Sequence, residues 1–360
     1  MDFSQPHQRY NPLRKSWVLC SPHRTQRPWQ GQQEKAQVEK RPQYDEKCYL
    51  CPGNTRANGS TNLKYSKTFV FVNDFAAVKP RSELPEPSSA SKEEQDELFR
   101  AEPATGQCVV ICFSPRHDLT LAQMNQEEVV GVIDAWKEVY ASAVENPEVN
   151  YCQIFENKGQ AMGCSNPHPH GQAWMTSIIP EEPAIEHASL KEYQANHNGR
   201  GLLQDYVDKE LKLKEKEGQN RFIEINDSFV ALVPYWAVWP FEVIVVSRTK
   251  IGNVRELDST QQSDFAEILR RVAVRYDNLF ECSFPYSMGL HQSYTSSSHS
   301  TEDNVEHLHV HFYPPLLRSA TVRKFLVGFE MLGMPQRDIT PEIAADMLRK
   351  VDNSVHYSER

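Results

Sequence analysis

The sequence lacks the features that direct a protein to a membrane or to export. Its first residues hold no basic stretch followed by an apolar run, so no signal peptide is visible. No window approaches the roughly 18 apolar residues that a membrane-spanning helix needs. Without an export signal we expect a reducing, cytoplasmic compartment. The eight cysteines are then better explained as thiols or metal ligands than as disulfides.

The chain also lacks an excess of positive charge and lacks glycine-rich phosphate-binding motifs. Its 39 lysines and arginines are outnumbered by 48 acidic residues, for a net charge of -9 at pH 7. This balance argues against nucleic acid or an anionic membrane as a partner. Neither a dinucleotide-binding fingerprint nor a P-loop is present, so no organic cofactor is implied. What is present is a globular composition, 39% hydrophobic over 360 residues, enough for one large or two ordinary domains.

The most informative feature of the organisation is an internal repeat. Two similar stretches, 75–80 and 229–234, are each followed by an apolar run that ends in serine, by an amphipathic helix and by a cluster of alternating histidines. Any amphipathic helix can show the shared apolar spacing, but the common order of elements favours a duplicated α+β unit. The predicted strands lie at 108–113, 151–156, 222–225, 229–234 and 242–246.

Capping residues predict where three helices begin. Asn125 with Glu128, and Ser259 with Gln262, have capping-box spacing ahead of the two repeated helices. Thr340, followed by proline, predicts the start of the last helix. Segments 81–97 and 295–301, rich in proline, serine, threonine or glutamate, are predicted to be loops.

The first histidine cluster, His168-Pro169-His170-Gly171-Gln172, has the residues for nucleophilic catalysis at phosphorus. Alternating residues of an extended segment share one side, so His168, His170 and Gln172 can face one site. Pro169 lacks an amide proton and predicts an edge or irregular strand. A neutral imidazole is a good nucleophile, and Gln172 can donate a hydrogen bond to developing charge. Two core or metal-binding histidines without catalysis would give the same short pattern.

Two further groups have the spacing of metal ligands. Cys48 and Cys51 form a Cys-x2-Cys pair typical of tetrahedral Zn²⁺, although two ordinary thiols also fit. His307, His309 and His311 alternate along a predicted strand, and a shared metal is a natural reason for placing such imidazoles together. Histidines in a solvent-facing hairpin are the alternative.

The string that contains the first cluster, 155–159 with 162–172, resembles the active-site signature of galactose-1-phosphate uridylyltransferases, in the histidine-triad superfamily. The resemblance covers nearly the whole chain. It implies two tandem histidine-triad-like α+β units, 1–195 and 196–360, that form an antiparallel sheet with flanking helices. It also implies transfer of UMP from UDP-glucose to galactose-1-phosphate, giving glucose-1-phosphate and UDP-galactose, through a uridylyl-histidine intermediate.

The resemblance gives roles to individual residues. It implies His170 as the nucleophile, Gln172 as the side chain that stabilises the phosphoryl group, and Ser165 as a phosphate contact. In relatives the positions from 324 to 336 reach the sugar across a dimer interface, which implies a homodimer with shared sites. Phe329 stands where the family usually has tyrosine, so any hydrogen bond from that hydroxyl is absent. The implied substrate contacts besides Gln172 are Arg24, Arg27, Asn73, Phe75, Asn157, Lys324, Phe325, Val327, Glu330 and Gln336.

The resemblance also implies two metal sites. The first holds structural zinc, which would orient the segment that bears His170. The second holds iron or zinc, and His307 matches none of its ligand positions. The implied ligands are Cys48, Cys51, His117 and His168 for zinc, and Glu186, His291, His309 and His311 for the second metal.

Two other functions remain open from the sequence. The string 307–311 looks like the triad of another histidine-triad enzyme, a nucleotide hydrolase or phosphorylase. Against this, the segment with the implied nucleophile ends in Gln172 rather than in a third histidine. A metal-binding interaction protein without catalysis is the second alternative, and the intact pair of His170 and Gln172 argues against it.

Overall fold

A computed structural model describes residues 3–26, 41–84, 97–296, 305–316, 319, 321–322 and 325–360. Arg27, Lys324 and residues 85–96 and 297–301 of the two predicted loops lie outside the described residues. The strands are β1 (His7–Asn11), β2 (Ser16–Cys20), β3 (Phe69–Val72), β4 (Gly106–Cys112), β5 (Tyr151–Lys158), β6 (His170–Thr176), β7 (Phe222–Ile225), β8 (Phe229–Leu232), β9 (Val243–Ser247), β10 (Tyr286–His291), β11 (His309–Tyr313) and β12 (Gln336–Arg337). The helices are α1 (Gln126–Glu145), α2 (Glu181–Asn196), α3 (Leu202–Leu213), α4 (Ser259–Leu279), α5 (Phe329–Leu332) and α6 (Pro341–Lys350).

Nine antiparallel strands form one sheet in the order β3-β4-β6-β5-β10-β11-β9-β8-β7. The first half, β3-β4-β6-β5, is repeated in reverse by β10-β11-β9-β8. The two halves meet where β5 pairs with β10, and β7 extends the far edge. α1 follows β4, and α4 follows β9. This matching order confirms the predicted α+β fold with two tandem units and an antiparallel sheet.

α1 and α4 pack on one face of the sheet because each buries the apolar stripe that the sequence shows. The buried positions include Trp136 and Tyr140 of α1 and Phe265 and Tyr276 of α4. They share one core with strand residues such as Ala173. Since side chains alternate along a strand, the residues between these core positions point to the opposite face.

The opposite face differs between the halves. α2 and α3 contribute Leu190, Leu203 and Val207 to a second core, which includes Val230 and Val246 of β8 and β9. These helices therefore cover the second half of the sheet. The same face of β6 carries His170 and Gln172, which are partly exposed. In the first half, the segment around Cys48 and Leu50 packs on Val110 and Cys112 of β4 on this face, so a ligand has access where His170 and Gln172 stay partly exposed.

Helix starts agree with the sequence in two cases and differ by one residue in the third. Asn125 and Glu128 form the predicted capping box of α1, and Thr340 caps α6. For α4 the prediction of Ser259 with Gln262 was wrong, because Asp258 and Gln261 form the capping box. Gln262 instead points to α1, where its amide donates to Asp134 at 2.6 Å and to the Val130 carbonyl oxygen at 3.3 Å.

A second, three-stranded sheet has the order β1-β2-β12. β1 and β2 are antiparallel neighbours, while β12 pairs with β2 in parallel, Gln336 opposite Leu19 and Arg337 opposite Cys20. The chain's first strands are thereby joined to residues near its end. The division at 195/196 stays a prediction, since strands from both halves pair within each sheet. Among the described residues, no helix is both long and apolar enough to cross a bilayer.

Candidate active site and metal centres

His170 is the first residue of β6, which lies between β4 and β5. The prediction of an edge strand was therefore wrong. Pro169 precedes the strand, where the missing amide removes no bond from the ladder. Its carbonyl oxygen still accepts from the Phe113 N–H at 2.9 Å. The proline fits a central strand because it ends just before that strand begins.

One ring nitrogen of His170 is held by the backbone. Nδ1 lies 2.7 Å from the carbonyl oxygen of His168. A carbonyl oxygen can only accept, so the proton is on Nδ1 and the lone pair is on Nε2. Burial lowers the pKa of His170, and the bond to the carbonyl opposes that effect in part. The result is a neutral imidazole at neutral pH, which is the form that attacks an electrophile.

Gln172 lies two residues further along β6, on the same face, and contacts Asn73. The Asn73 amide nitrogen donates to Gln172 Oε1 at 3.4 Å. Asn73 follows β3, and its own Oδ1 accepts from the Phe75 N–H at 2.9 Å. Phe75 is 80% exposed, so its ring is accessible to a ligand. The structure thus brings three predicted site residues together beside His170.

Asn157 and Ser165 come from β5 and from the loop that follows it. Asn157 Oδ1 accepts from the Ser287 hydroxyl of β10 at 2.6 Å. Ser165 is exposed. The loop turns at Gly163, whose φ of 77° lies in the left-handed region that favours glycine. Ser287 was not predicted from the sequence, although the alternation of buried and partly buried positions in β10 is a signal that could have placed it on the open face.

Of the other predicted substrate contacts, those that the structure describes form a second group, carried by the small sheet, the turn after β2 and the segment before β12. Arg24 Nε lies 3.5 Å from Asp338 Oδ1, and Gln336 donates to the same oxygen at 2.5 Å. Glu330 is paired with Arg337 at 2.7 Å. Three apolar side chains of this segment are exposed, namely Phe325 (61%), Val327 (59%) and Phe329 (58%).

The four residues implied as zinc ligands lie together. Their donor atoms are all within 4.8 Å of one another, and all four residues are buried. Cys51 Sγ lies 3.7 Å from His117 Nδ1 and 3.6 Å from His168 Nδ1. His168 Nε2 donates to the Ser114 carbonyl at 2.9 Å, so Nδ1 is the nitrogen left for a metal. Asn166 places its amide nitrogen 3.4 Å from Cys48 Sγ.

The charge states at this cluster fit a bound cation. Burial lowers the pKa of His168 to about 4 and raises that of Cys51 to about 12. The histidine is therefore a neutral ligand. The buried thiol, shielded from water, needs a nearby positive charge in order to ionise. Two sulfurs and two imidazole nitrogens at these distances suit tetrahedral Zn²⁺.

The second cluster joins α2, β10 and β11. Glu186 places one carboxylate oxygen 2.6 Å from His291 Nδ1 and 3.3 Å from His309 Nε2, and the other 3.4 Å from His311 Nε2. Within the described part of the chain, the Nε2 atoms of His309 and His311 are buried without a hydrogen-bond partner. Buried nitrogens that converge on a carboxylate without bonding it fit a metal between them. The solvent-facing hairpin is wrong, because both histidines are buried.

The two histidine clusters occupy equivalent places in the repeat. His307 Nε2 lies 2.7 Å from the Ser247 carbonyl oxygen, as His168 Nε2 lies near that of Ser114. His309 Nδ1 lies 2.7 Å from the His307 carbonyl oxygen, which matches the contact of His170. His307 does not belong to the metal cluster. The halves differ in what lies against these histidines. Glu186 of α2 covers His309, whereas in the described part of the chain no hydrogen bond or ion pair joins α2 to His170.

Comparison with known proteins assigns both halves of the chain. A family model described as the N-terminal domain of galactose-1-phosphate uridyl transferase matches residues 1–180, and the model of its C-terminal domain matches residues 186–360. The galactose-1-phosphate uridylyltransferase of Kluyveromyces lactis is 51% identical over 359 residues, covering 98% of this chain and 95% of that protein. The protein of the same name from Haemophilus influenzae is 50% identical over 357 residues, with coverage of 99% and 97%.

Solved structures share the fold at lower identity. A uridylyltransferase structure matches with a TM-score of 0.72 at 24% identity, covering 95% of this chain and 97% of that one. An ADP-glucose phosphorylase from Arabidopsis thaliana with bound ADP-glucose matches with a TM-score of 0.75 at 20% identity, covering 97% and 100%. At these identities the comparison supports the fold and not the substrate.

Proposed function

Since this chain belongs to the galactose-1-phosphate uridylyltransferase family and transfers the uridylyl group of UDP-glucose to galactose-1-phosphate, we propose that it does so in two steps through His170. The observation that carries the mechanism is the 2.7 Å contact between His170 Nδ1 and the His168 carbonyl oxygen. It fixes the tautomer in which Nε2 holds a lone pair. Because Nε2 already holds a free lone pair, this nucleophile needs no separate base to remove a proton.

In the first step His170 Nε2 forms a bond to the α-phosphorus of UDP-glucose, and the bond from that phosphorus to the bridging oxygen breaks. Glucose-1-phosphate leaves as an anion and takes the electron pair. In the second step a phosphate oxygen of galactose-1-phosphate attacks the same phosphorus, and the N–P bond breaks. The proton stays on Nδ1 throughout and is donated in a hydrogen bond to the His168 carbonyl oxygen, which stabilises the positive ring of the intermediate.

We propose neutral donors for this nucleophile. Gln172, Asn157 and Ser165 would donate to the phosphoryl and sugar oxygens, and the face that carries them is free of the helices that cover the second half. Neutral donors stabilise the extra charge of a transition state without holding the intermediate as tightly as a cation would. This suits an intermediate that must react with a second substrate.

We further propose that the active unit is a homodimer with sites shared between the subunits. The predicted contacts that the structure describes fall into two groups, one on the first half of the large sheet and one on the small sheet and the segment before β12. Phe325 and Val327 of the second group are exposed, so they are accessible to a second copy. The second group of one subunit would complete the site on the large sheet of its partner.

The metals are proposed to have structural roles. Cys48, Cys51, His117 and His168 would hold Zn²⁺, and Glu186 with His291, His309 and His311 would hold iron or zinc. When bound, zinc would stabilise the thiolates and fix the segment whose carbonyl orients His170. None of the eight cysteines forms a disulfide, which supports a reducing cytoplasm as the compartment.

The alternative of a hydrolase or phosphorylase that uses the string 307–311 has less support. His309 and His311 are buried with Glu186 in the second metal cluster. His307 is bonded to the Ser247 carbonyl oxygen. A nucleophile in that string would have to leave the cluster before it could meet a nucleotide.

The experiment that tests the proposal is incubation with UDP-glucose labelled in the uridine, without an acceptor, followed by intact-protein mass and peptide mapping. We expect a gain of one uridylyl group on His170, removed by galactose-1-phosphate. His170→Gly should give no adduct but should keep its fold and metal content, while His197→Gly, at the end of α2, should behave as the wild type does. Steady release of UMP without an adduct would contradict the two-step transfer and favour a hydrolase.

A further inference from the structure

The side-chain amide of Gln172 has two ends of nearly the same shape and opposite chemistry. The NH2 end donates hydrogen bonds, whereas the oxygen end only accepts. A phosphoryl oxygen is an acceptor, so only the NH2 end can stabilise it. A half-turn of the amide would place an oxygen against the phosphoryl group and repel it. The chemistry proposed for Gln172 therefore requires that its neighbours fix the direction of the amide.

Trp174 supplies a donor that can meet only one end of this amide. Its indole Nε1 lies 3.2 Å from Gln172 Oε1. An indole N–H is a donor and never an acceptor, so the atom it contacts must be the amide oxygen. The two residues are two positions apart on β6 and share one face of the strand. The contact is therefore local and is built into the strand itself.

Asn73 supplies a second donor whose direction is also fixed. The Phe75 backbone N–H donates to Asn73 Oδ1 at 2.9 Å, and a backbone N–H cannot accept. The other end of the Asn73 side chain, its NH2, is thus the end that meets Gln172 Oε1, at 3.4 Å. Two donors occupy the two lone pairs of Gln172 Oε1. The longer distance from Asn73 makes the indole the stronger of the two contacts.

The indole is itself held in place by the neighbouring strand. Its ring lies 5.8 Å from that of Phe155, edge to face at 76°. Phe155 stands directly opposite Gln172 in the pairing of β5 with β6. Phe155 therefore packs beside Gln172 and also against the indole of Trp174. Trp174 is 37% exposed, so burial in a core is not what explains a tryptophan at this position.

From these contacts we propose that Trp174 is a positioning residue for uridylyl transfer: its indole N–H holds Gln172 Oε1 so that the NH2 end of the amide faces the α-phosphoryl group. The inference rests on the proposed role of Gln172. Trp174 acts through Gln172 and does not itself need to touch the nucleotide. Its contribution should therefore disappear when Gln172 is absent.

The test is a double-mutant cycle with Trp174→Phe, Gln172→Ala and both changes together, read as the single-turnover rate of uridylyl transfer from UDP-glucose to His170. Trp174→Phe keeps an aromatic ring beside Phe155 and removes the N–H. We expect it to slow transfer by about three- to tenfold when Gln172 is present, the worth of one hydrogen bond. With Gln172→Ala the same change should alter the rate by less than about twofold. Benzothienylalanine at position 174, with sulfur in place of N–H, repeats the test in a ring of tryptophan's shape.

The outcomes separate the inference from the function on which it rests. Equal losses in both backgrounds would show that the indole acts independently of Gln172, and no loss in either would show that it does nothing; both overturn the inference and leave the role of Gln172 standing. A normal rate in Gln172→Ala alone would overturn that role and the inference with it. Trp236→Phe, where the ring packs 4.5 Å from Tyr206 in the core under α3, is the matched control for a tryptophan change and should leave the rate unchanged.

Discussion

At the scale of single residues, the site depends on backbone carbonyls and amides more than on charged side chains. The carbonyl oxygen of His168 sets the tautomer of His170, and the N–H of Phe75 sets the direction of Asn73. Such contacts do not change with pH. They also tie His170, the proposed nucleophile, to a residue whose ring lies in the cluster proposed to hold zinc, so the two proposed sites share one short segment.

Gln172→Arg should slow the overall transfer by at least about tenfold. The two donors that now bind Gln172 Oε1, from Trp174 and Asn73, would face a guanidinium, and the added positive charge would hold the intermediate too tightly. Single-turnover rates for the loading and unloading of His170 would separate the two effects. An unchanged unloading rate would contradict the argument that a neutral donor is needed there.

Each metal cluster should lose its ion independently. Cys51→Ser should lower the bound metal by about one equivalent per chain and destabilise the fold, because it removes one of four ligands and leaves a buried imidazole pair without a partner. His309→Asn should lower the bound metal by about one equivalent per chain, lost from the other cluster. The variant with both changes should lose about two equivalents. Metal analysis of the purified proteins measures this. A single variant that lost both ions would show that the clusters are coupled.

At the scale of elements, the two central helices of the repeat each begin after a residue that forms a capping box. Asn125→Ala in α1 and Asp258→Ala ahead of α4 should each lower the free energy of unfolding by about 1 kcal/mol, since each removes a side-chain bond to the first helical turn. Ser259→Ala should lower the free energy of unfolding by less than about half of that amount. Urea unfolding measures all three. A cost for Ser259→Ala as large as that for Asp258→Ala would contradict the observed cap.

The junction of β5 and β10 contains a buried carboxyl group that should make stability depend on pH. Burial raises the pKa of Glu156 to about 7, with Lys158 opposing the effect, and the Tyr286 hydroxyl donates to Glu156 at 3.0 Å. The folded protein keeps this proton to higher pH than the unfolded chain does. The stabilising contribution is therefore complete below about pH 4.5 and is lost as the pH rises through 7.

Glu156→Gln should remove this dependence, since an amide has no proton to lose. Between pH 5 and pH 8 the unfolding free energy of the wild type should fall by on the order of 3 kcal/mol more than that of Glu156→Gln. Urea unfolding at several pH values, with metal concentration held constant, provides the measurement. Glu148→Gln, at an exposed position, is the matched control. Parallel stability curves for Glu156→Gln and the wild type would show that Glu156 is not protonated in the folded protein.

At the scale of the whole molecule, the small sheet and the large sheet carry different parts of the predicted site. Mixing His170→Gly with the double variant Arg24→Ala, Gln336→Ala tests whether they combine between subunits. In a mixed dimer with shared sites, the unchanged His170 of one subunit meets the unchanged Arg24 and Gln336 of the other. One of the two sites then has only unchanged residues. After unfolding and refolding together, the mixture should regain about a quarter of the wild-type activity. Activity no greater than the sum of the separate variants would mean that each site lies within one chain.

The fold of two repeated units was predictable from the sequence because its signals are local. The apolar stripes of α1 and α4 follow the helical period, so residues such as Trp136 and Phe265 are buried where the spacing predicts. Strands β4, β5, β7, β8 and β9 were predicted from short apolar runs. β12 was not, since it pairs with β2 across about 320 positions, Gln336 opposite Leu19, and no local pattern encodes such a pairing. β1 and β2 form a local hairpin but were not predicted either, because β1 buries polar side chains and shows no apolar alternation.

By itself, the sequence determined the kinds of atom available to the site: two thiols, the imidazoles, and a glutamine two residues from the proposed nucleophile. The chemistry of an atom belongs to its residue, so these predictions needed no fold. Only the tertiary structure decided how they are used. It placed β6 inside the sheet between β4 and β5, brought Glu186 to three histidines from β10 and β11, and directed the oxygen of Gln172 to Trp174. Each of these depends on distances between atoms that the order of residues does not fix, because strand order, strand register and side-chain direction are set by packing.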